Sequence, residues 1–205
     1  MLKGDNLNLF SIRDLRIENK PYLYTMKQHN GMRPHDIVVL LKIIALGKQP
    51  WLNKDLAGTL FISQSEISES LNRSQIAGLL DPSKRKVFKS ALLDFLQHGF
   101  KYVYPAQPGA IQKGLPTAHS APVLNKLFTS EEIFVWPYEN GQVRGQVIQP
   151  LYPGVPKTVL NDHVLYDLLA ICDVLRIGRT REIKTAITIM ESIFNHEQAN
   201  QYIAG

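Results

Sequence analysis

Four helix signals follow one another closely between residues 34 and 99, and their order limits the fold more than any other feature of the chain. Pro34 suits the first position of a helix and Gly47 the position just past its end, and the residues between them form a broad apolar stripe. A short helix is expected next, over 53–60, where apolar residues again recur at helical spacing. These signals predict a helical domain with short connections.

The third helix follows after a tight connection and has an unusual polar face. Ser63 and Glu66 have the spacing of a capping box, and Ile67 and Leu71 point inward. The outward positions carry mainly short or amide-bearing polar groups in place of the Lys/Glu mixture of an ordinary solvated helix. These positions are Gln64, Ser65, Ser68, Glu69, Asn72 and Arg73.

The periodicity changes after the fourth helix, which is expected to run from Pro82, with Asp81 as its cap, to Gly99. Residues 100–106 alternate and are rich in aromatic and β-branched side chains, which predicts a strand. A Pro-Gly turn and a return strand are expected over 107–117. Helix, short helix, polar-faced helix, longer helix, strand, turn and strand together make the plan of a winged helix-turn-helix.

The second half of the chain predicts a small unit of a hairpin and two helices. Asn140-Gly141 between two alternating runs indicates a two-residue hairpin turn. The first helix is expected to be capped by Asn161 or Asp162 and to end at Gly178, and the second to begin near Thr180. The predicted fold class is therefore α+β and mostly helical. The predicted divisions are an N-terminal extension or arm (1–31), a winged helix-turn-helix domain (32–118) and a C-terminal hairpin and helical domain (123–205).

The basic charge of the chain is concentrated in its first large segment. The net charge is +5, and residues 33–122 account for +5, residues 1–32 for +2 and residues 123–205 for −2. A positive excess in this segment suits a polyanionic partner. The first residues form no signal peptide, and no apolar run reaches the roughly 18 residues needed to span a bilayer. With a single cysteine, Cys172, the chain fits a reducing cytoplasm.

A polar helix face of this kind suits the major groove of double-stranded DNA. Gln and Asn can pair with adenine, Arg with guanine, and Glu69 can accept from a cytosine amine. The basic run at 84–86 and the expected wing can reach phosphates. The candidate DNA-binding residues are Lys54, Gln64, Ser65, Ser68, Glu69, Asn72, Arg73, Lys84, Arg85, Lys86, Gln112 and Lys113. The alternatives are a solvated surface helix, a solvated charge run and an ordinary polar hairpin tip.

Catalytic and metal-binding patterns are weak in this sequence. The six histidines lack the spacing of a zinc site, and one cysteine cannot build a thiolate cluster. Cys172 lies in an apolar helix pattern, as a buried structural thiol does. No loop has the glycine and lysine pattern that cradles phosphates. We therefore expect no enzyme, no metal and no cofactor.

The stretch from 34 to 116 resembles the winged helix-turn-helix regulators of bacteria, broadly MarR-like. The residues that carry the resemblance are "NKDLAGTLFISQSEISESLNR" and "KSALLDFLQHGFKYVYP". The Asp-x-Arg sequence usual in the wing of that family is absent, and a hairpin-plus-helix domain stands where the family has dimerisation helices. The resemblance implies a sequence-specific DNA-binding transcriptional regulator that acts as a homodimer. The alternative is a protein-interaction module, such as an antitoxin-like partner of a neighbouring enzyme that also regulates its own transcription.

Overall fold

Helices predominate in the computed structural model, which describes residues 31–128 and 130–195. Three strands form a small sheet, and two short 3-10 turns, Ala118–Ser120 and Val159–Asn161, complete the regular structure of these residues. The predicted arm, 1–31, lies outside the described residues except for Gly31. The elements are α1 (Pro34–Leu46), α2 (Asn53–Leu60), α3 (Gln64–Ile76), α4 (Lys89–His98), α5 (Phe100–Val103), β1 (Ile111–Pro116), β2 (Phe134–Pro137), β3 (Val143–Val147), α6 (Val155–Thr158), α7 (His163–Ile177) and α8 (Thr180–Asn195).

The first three helices form as the sequence predicts. Pro34 occupies the first turn of α1, and Gly47 ends it with a positive φ of 58° that suits glycine. Ser63 caps α3, because its hydroxyl accepts a hydrogen bond from the Glu66 N–H at 3.2 Å. The connection between α2 and α3 is short because Phe61 adopts the left-handed conformation, with a φ of 55°.

The predicted start of the fourth helix is wrong. α4 begins at Lys89, and the preceding residues form a small hairpin in which Leu80 bridges Val87 in antiparallel fashion. The Asp81 carboxylate stabilises this turn rather than a helix, because its Oδ1 accepts the N–H groups of Arg85 and Lys86 at 2.8 and 2.7 Å. We call residues 81–86 the cationic turn.

The predicted strand over 100–106 is also wrong, and with it the predicted wing at 100–117. Phe100–Val103 forms the short helix α5. The aromatic residues that suggested a strand instead pack around one another: the ring centroid of Phe100 lies 6.1 Å from that of Phe95 and 5.7 Å from that of Tyr104. Helical spacing brings the last pair together, so tertiary packing overrides strand propensity here.

The sheet joins the two predicted halves of the chain. β1, expected as the return strand of the wing, pairs antiparallel with both β2 and β3. β2 and β3 pair parallel with each other and close the sheet on itself. The predicted hairpin at Asn140-Gly141 is therefore wrong, although a turn does occur there, with the Gly141 N–H bonded to the Tyr138 carbonyl at 2.9 Å. This turn lies close to β1, because a Cβ at Gly141 would be 2.4 Å from the Gly114 carbonyl oxygen.

Helix α7 lies at the centre of the core, as its nearly continuous apolar sequence suggests. Asp162 caps it by accepting the Leu165 N–H at 3.0 Å, and Gly178 follows its end, both as predicted. It packs against α1, α5 and α8. α8 presents Ala186, Met190 and Phe194 to the core at helical spacing. One hydrophobic core thus extends through α1–α4 and the C-terminal helices.

Candidate nucleic-acid interface

The polar face of α3 is exposed to solvent at four of the six predicted positions. Gln64, Ser65, Ser68 and Glu69 are all exposed, and we refer to these four as the polar face. Ile67 and Leu71 are buried on the opposite side. The amphipathic pattern read from the sequence therefore gives the correct orientation of the helix for these residues.

The prediction that Arg73 points outward is wrong. Its side chain is buried and donates to Asp36 of α1 through Nε at 2.8 Å and Nη2 at 2.7 Å. The same Nη2 lies 2.5 Å from Glu66 Oε1 and 3.1 Å from His35 Nε2. Arg73 is therefore committed to a charged cluster behind the polar face.

The cluster is electrostatically self-consistent. Hydrogen bonds to Asp36 raise the pKa of Arg73, against the effect of burial. Burial acts to raise the pKa of Glu66, but hydrogen bonds and charges from Arg73 and His35 outweigh it and hold that pKa below its usual value. Arg33 adds a further bond to Glu66, at 3.2 Å. Glu66 thus belongs to this cluster. Its four side chains, those of His35, Asp36, Glu66 and Arg73, join α1 to α3.

A sequence signal for this cluster existed in the spacing of Glu66 and Arg73. Residues seven apart lie on the same side of a helix, two turns from each other. The spacing therefore predicts that Glu66 and Arg73 share one side of α3, and in the structure this side faces α1. The partner, Asp36, lies 37 residues earlier, so no local pattern identifies it.

The cationic turn lies directly beside α3. Lys84, which has a positive φ of 60°, donates through its ammonium group to the side-chain oxygen of Asn72, near the end of α3. Asn72 is therefore half-buried and partnered, whereas the sequence predicted it as outward. This bond brings a predicted DNA-binding cation and a predicted base-reading amide together.

The other two cations of the turn, Arg85 and Lys86, differ in their contacts. Arg85 donates to the Trp51 carbonyl oxygen at 2.8 Å, and its guanidinium lies 4.5 Å from the centroid of the Trp51 ring. Lys86 is exposed. These residues form a turn and lie before the first turn of α4, which begins at Lys89. The Asp81 carboxylate, bonded to Ser83 and to the N–H groups of Lys86 and Arg85, has its pKa lowered to about 2.

The remaining predicted residues lie apart from this group or at its edge. Lys54 is exposed in the first turn of α2. Gln112 and Lys113 are exposed on β1, opposite Gly145 and Arg144 of β3. The sheet, rather than a wing hairpin following α4, positions these two residues.

One group of described residues has the composition of a metal site: His35, Asp36 and Glu66 offer ligand atoms within 4.8 Å of one another. The guanidinium of Arg73 already contacts all three side chains and supplies the positive charge that a metal would bring. The cluster therefore fits a structural role better than a metal site. Cys172 is fully buried, and burial raises the pKa of its thiol well above the ordinary value.

Membrane insertion has no support among the described helices, since none is both long and apolar enough to cross a bilayer.

No family model matches the sequence, and no curated protein or solved structure is significantly similar to it.

Proposed function

We propose that the chain is a sequence-specific, double-stranded DNA-binding transcriptional regulator, with α3 as its recognition helix. The observation that carries the proposal is the exposed polar face of α3 beside a turn with three cations, joined to it by the bond between Lys84 and Asn72. A protein that binds a DNA duplex uses hydrogen-bonding side chains to read the base edges and positive charge to contact the phosphates.

The geometry suits insertion of α3 into the major groove. Its 13 residues span about 20 Å, and the polar face begins at its N-terminus, the end that reads base edges in helix-turn-helix proteins. Gln64 can pair with adenine, and Ser65 and Ser68 are short enough to allow close approach. Glu69 can accept from cytosine.

The cationic turn takes the place of the wing that the sequence placed further along the chain. It follows α3 directly and forms the tip of the hairpin closed by the Leu80–Val87 bridge. Lys84 and Lys86 would contact phosphates beside the groove, and Lys54 would do so from the first turn of α2. A winged helix-turn-helix is thus part of the proposal, with its wing at 79–88.

The buried cluster of Arg73 and Asp36 supports the same function by holding α3 in position. Arg73 and Asp36 fix α3 against α1, so the polar face is held in place before DNA binds. A recognition surface that is already ordered loses less conformational entropy on binding. In this proposal Arg73 positions the helix and does not contact bases.

A homodimer completes the proposal, because two copies can read two half-sites. Tyr102, Val103 and Ile111 are 73%, 54% and 62% exposed, which supplies apolar surface for a second copy. Sedimentation velocity of the chain tests this directly, with Val103→Glu expected to shift a dimer toward monomer.

The same apolar side chains favour a second candidate function, that of a protein-interaction module. Co-purification of a stoichiometric partner, together with a lack of DNA affinity, would support this second candidate.

The test of the main proposal is selection of bound sequences from random duplexes. We expect enrichment of one preferred sequence, and loss of that preference in the double variant Gln64→Ala and Ser68→Ala, with each base contact worth roughly 1–3 kcal/mol. Lys126→Gln, which changes an exposed residue outside the candidate DNA-binding set, is the matched control. A selection that enriches no sequence would overturn the proposal. The proposal assigns no catalytic step to the chain and places it with the DNA, in the cytoplasm of a bacterial cell.

A further inference from the structure

A cavity of about 640 Å³ lies between the C-terminal end of α1 and the segment that leads from the cationic turn into α4. Ile43, Ile44 and Val87 are buried residues that supply apolar lining. The ring of Phe88, which also lines the cavity, is 42% exposed. The volume falls within the range of small-molecule sites, and apolar lining is typical of them.

The charged side chains that line this cavity among the described residues are all cationic. Lys48, Arg85, Lys86 and Lys89 line it, and none of its described lining residues is acidic. Arg85 bonds to the carbonyl oxygen of Trp51 and Lys89 to that of Phe194, and a neutral carbonyl leaves the cationic charge uncompensated. Among the described residues, no ion pair joins Arg85, Lys86 or Lys89 to a carboxylate.

The first turn of α4 adds to this positive potential. Lys89, Ser90 and Ala91 are its first three residues and all line the cavity. The N–H groups of a first turn have no acceptor within their own helix, and a helix N-terminus favours anions. The first turn of α4 carries no acidic residue that would satisfy this preference.

We propose that this cavity binds an organic phosphate. The phosphate group lies among the charges of Arg85, Lys86 and Lys89. The apolar body of the molecule lies against Ile43, Ile44 and Phe88. A dianionic phosphate matches this concentration of positive charge better than a neutral molecule does, and several donors can share its oxygens. An organic phosphate also covers the apolar lining, which inorganic phosphate would leave in contact with water.

The test is titration of the full chain with decyl phosphate below its micelle concentration, followed by calorimetry and by tryptophan fluorescence. Trp51 should report binding, since Arg85 stacks on its ring. We expect saturable binding of one molecule per chain, with decanol and inorganic phosphate each at least tenfold weaker. Equal binding of decyl phosphate and decanol, or no saturable binding, would overturn the proposal.

Two variants locate the site. Ala91→Phe adds a ring at an exposed cavity-lining position and should weaken decyl phosphate binding at least tenfold by occupying the space. Lys89→Gln should weaken it severalfold by removing a charge. Lys126→Gln, an exposed residue outside the cavity lining, should bind as the unchanged chain does. Unaltered binding by both cavity variants would place the ligand elsewhere and overturn the proposal.

The site also bears on the proposed function, because Arg85 and Lys86 belong both to the cavity and to the cationic turn. This second part rests on DNA binding: saturating decyl phosphate should weaken binding to the selected duplex at least tenfold. Unchanged duplex affinity would overturn the coupling alone. Because phosphate binding is measured without DNA, failure of DNA binding and failure of the cavity proposal are distinguishable.

Discussion

Arg73 of α3 donates two hydrogen bonds to the fully buried carboxylate of Asp36 in the first turn of α1, at 2.8 and 2.7 Å. The pair ties the proposed recognition helix to the helix behind it. Glu66, whose N–H donates to the capping hydroxyl of Ser63 at the start of α3, also accepts from the same guanidinium at 2.5 Å. One arginine therefore sets the position of α3 at both its beginning and its later turns.

Replacement of Arg73 by methionine should destabilise the protein strongly. Asp36 would remain buried without its cation, and breaking a buried pair from one side costs about 3–5 kcal/mol. Urea unfolding followed by circular dichroism measures the change, with Glu69→Gln, an exposed residue of the same helix, as the control within about 0.5 kcal/mol of the unchanged chain. In the Arg73→Met, Asp36→Asn double variant the two losses should not add. Additive losses would show that the pair is not coupled.

Glu66 should make the protein lose stability in acid. Its pKa in the folded chain is held below the usual 4.5, so the unfolded chain takes up this proton first as the pH falls. The stabilisation is therefore complete above the unfolded pKa and disappears as the pH falls through the lower folded pKa. The difference in unfolding free energy between the unchanged chain and Glu66→Gln should be greatest at neutral pH and shrink below 4.5. A difference that stays constant from pH 7 to 3 would contradict this.

Asp167 should act in the opposite direction. Burial raises its pKa to about 6 from 3.8, so the folded chain holds this proton more tightly than the unfolded chain. Its contribution is favourable below the unfolded value and is lost as the pH rises through the folded value of about 6. Asp167→Asn should therefore gain stability relative to the unchanged chain between pH 4 and 7. Parallel unfolding curves across this range would contradict the assignment.

Much of the helical part of the fold could be predicted from the sequence because its signals are local. Five residues each mark a helix boundary through their own backbone conformation or through a hydrogen bond to a residue three or four positions away. They are Pro34, Gly47, Ser63, Asp162 and Gly178. The exposed residues of the polar face follow from helical periodicity alone. These signals require no knowledge of the partner elements.

Two of the errors arise where a distant partner decides the structure. Arg73 is polar and was expected outside, but Asp36, 37 residues earlier, holds it inside. Residues 140–141 look like a hairpin turn, yet β1 takes the antiparallel pairing with both flanking strands. The start of α4 is a different case, because the local sequence leaves open whether Asp81 caps a helix or, as observed, a turn.

Gly141→Ala tests the close packing of the sheet. A Cβ at this buried position would lie 2.4 Å from the Gly114 carbonyl oxygen, and overpacking of this kind costs about 1–3 kcal/mol. Gly58→Ala is the matched control, because nothing lies within 4 Å of its Cβ position in α2. That control should gain about 0.5–1 kcal/mol from helix propensity. Equal effects of the two changes on thermal unfolding would contradict the close approach of Gly141 to β1.

The central claim, that α3 and the cationic turn bind duplex DNA together, is tested most directly by the salt dependence of binding to the selected duplex. The test variant replaces three lysines by glutamine: Lys54→Gln, Lys84→Gln and Lys86→Gln. We predict that the negative slope of log K against log salt concentration becomes shallower by about 3, close to one unit per lost phosphate contact. The variant should keep the sequence preference, since the polar face is unchanged. A slope equal to that of the unchanged chain would contradict the account.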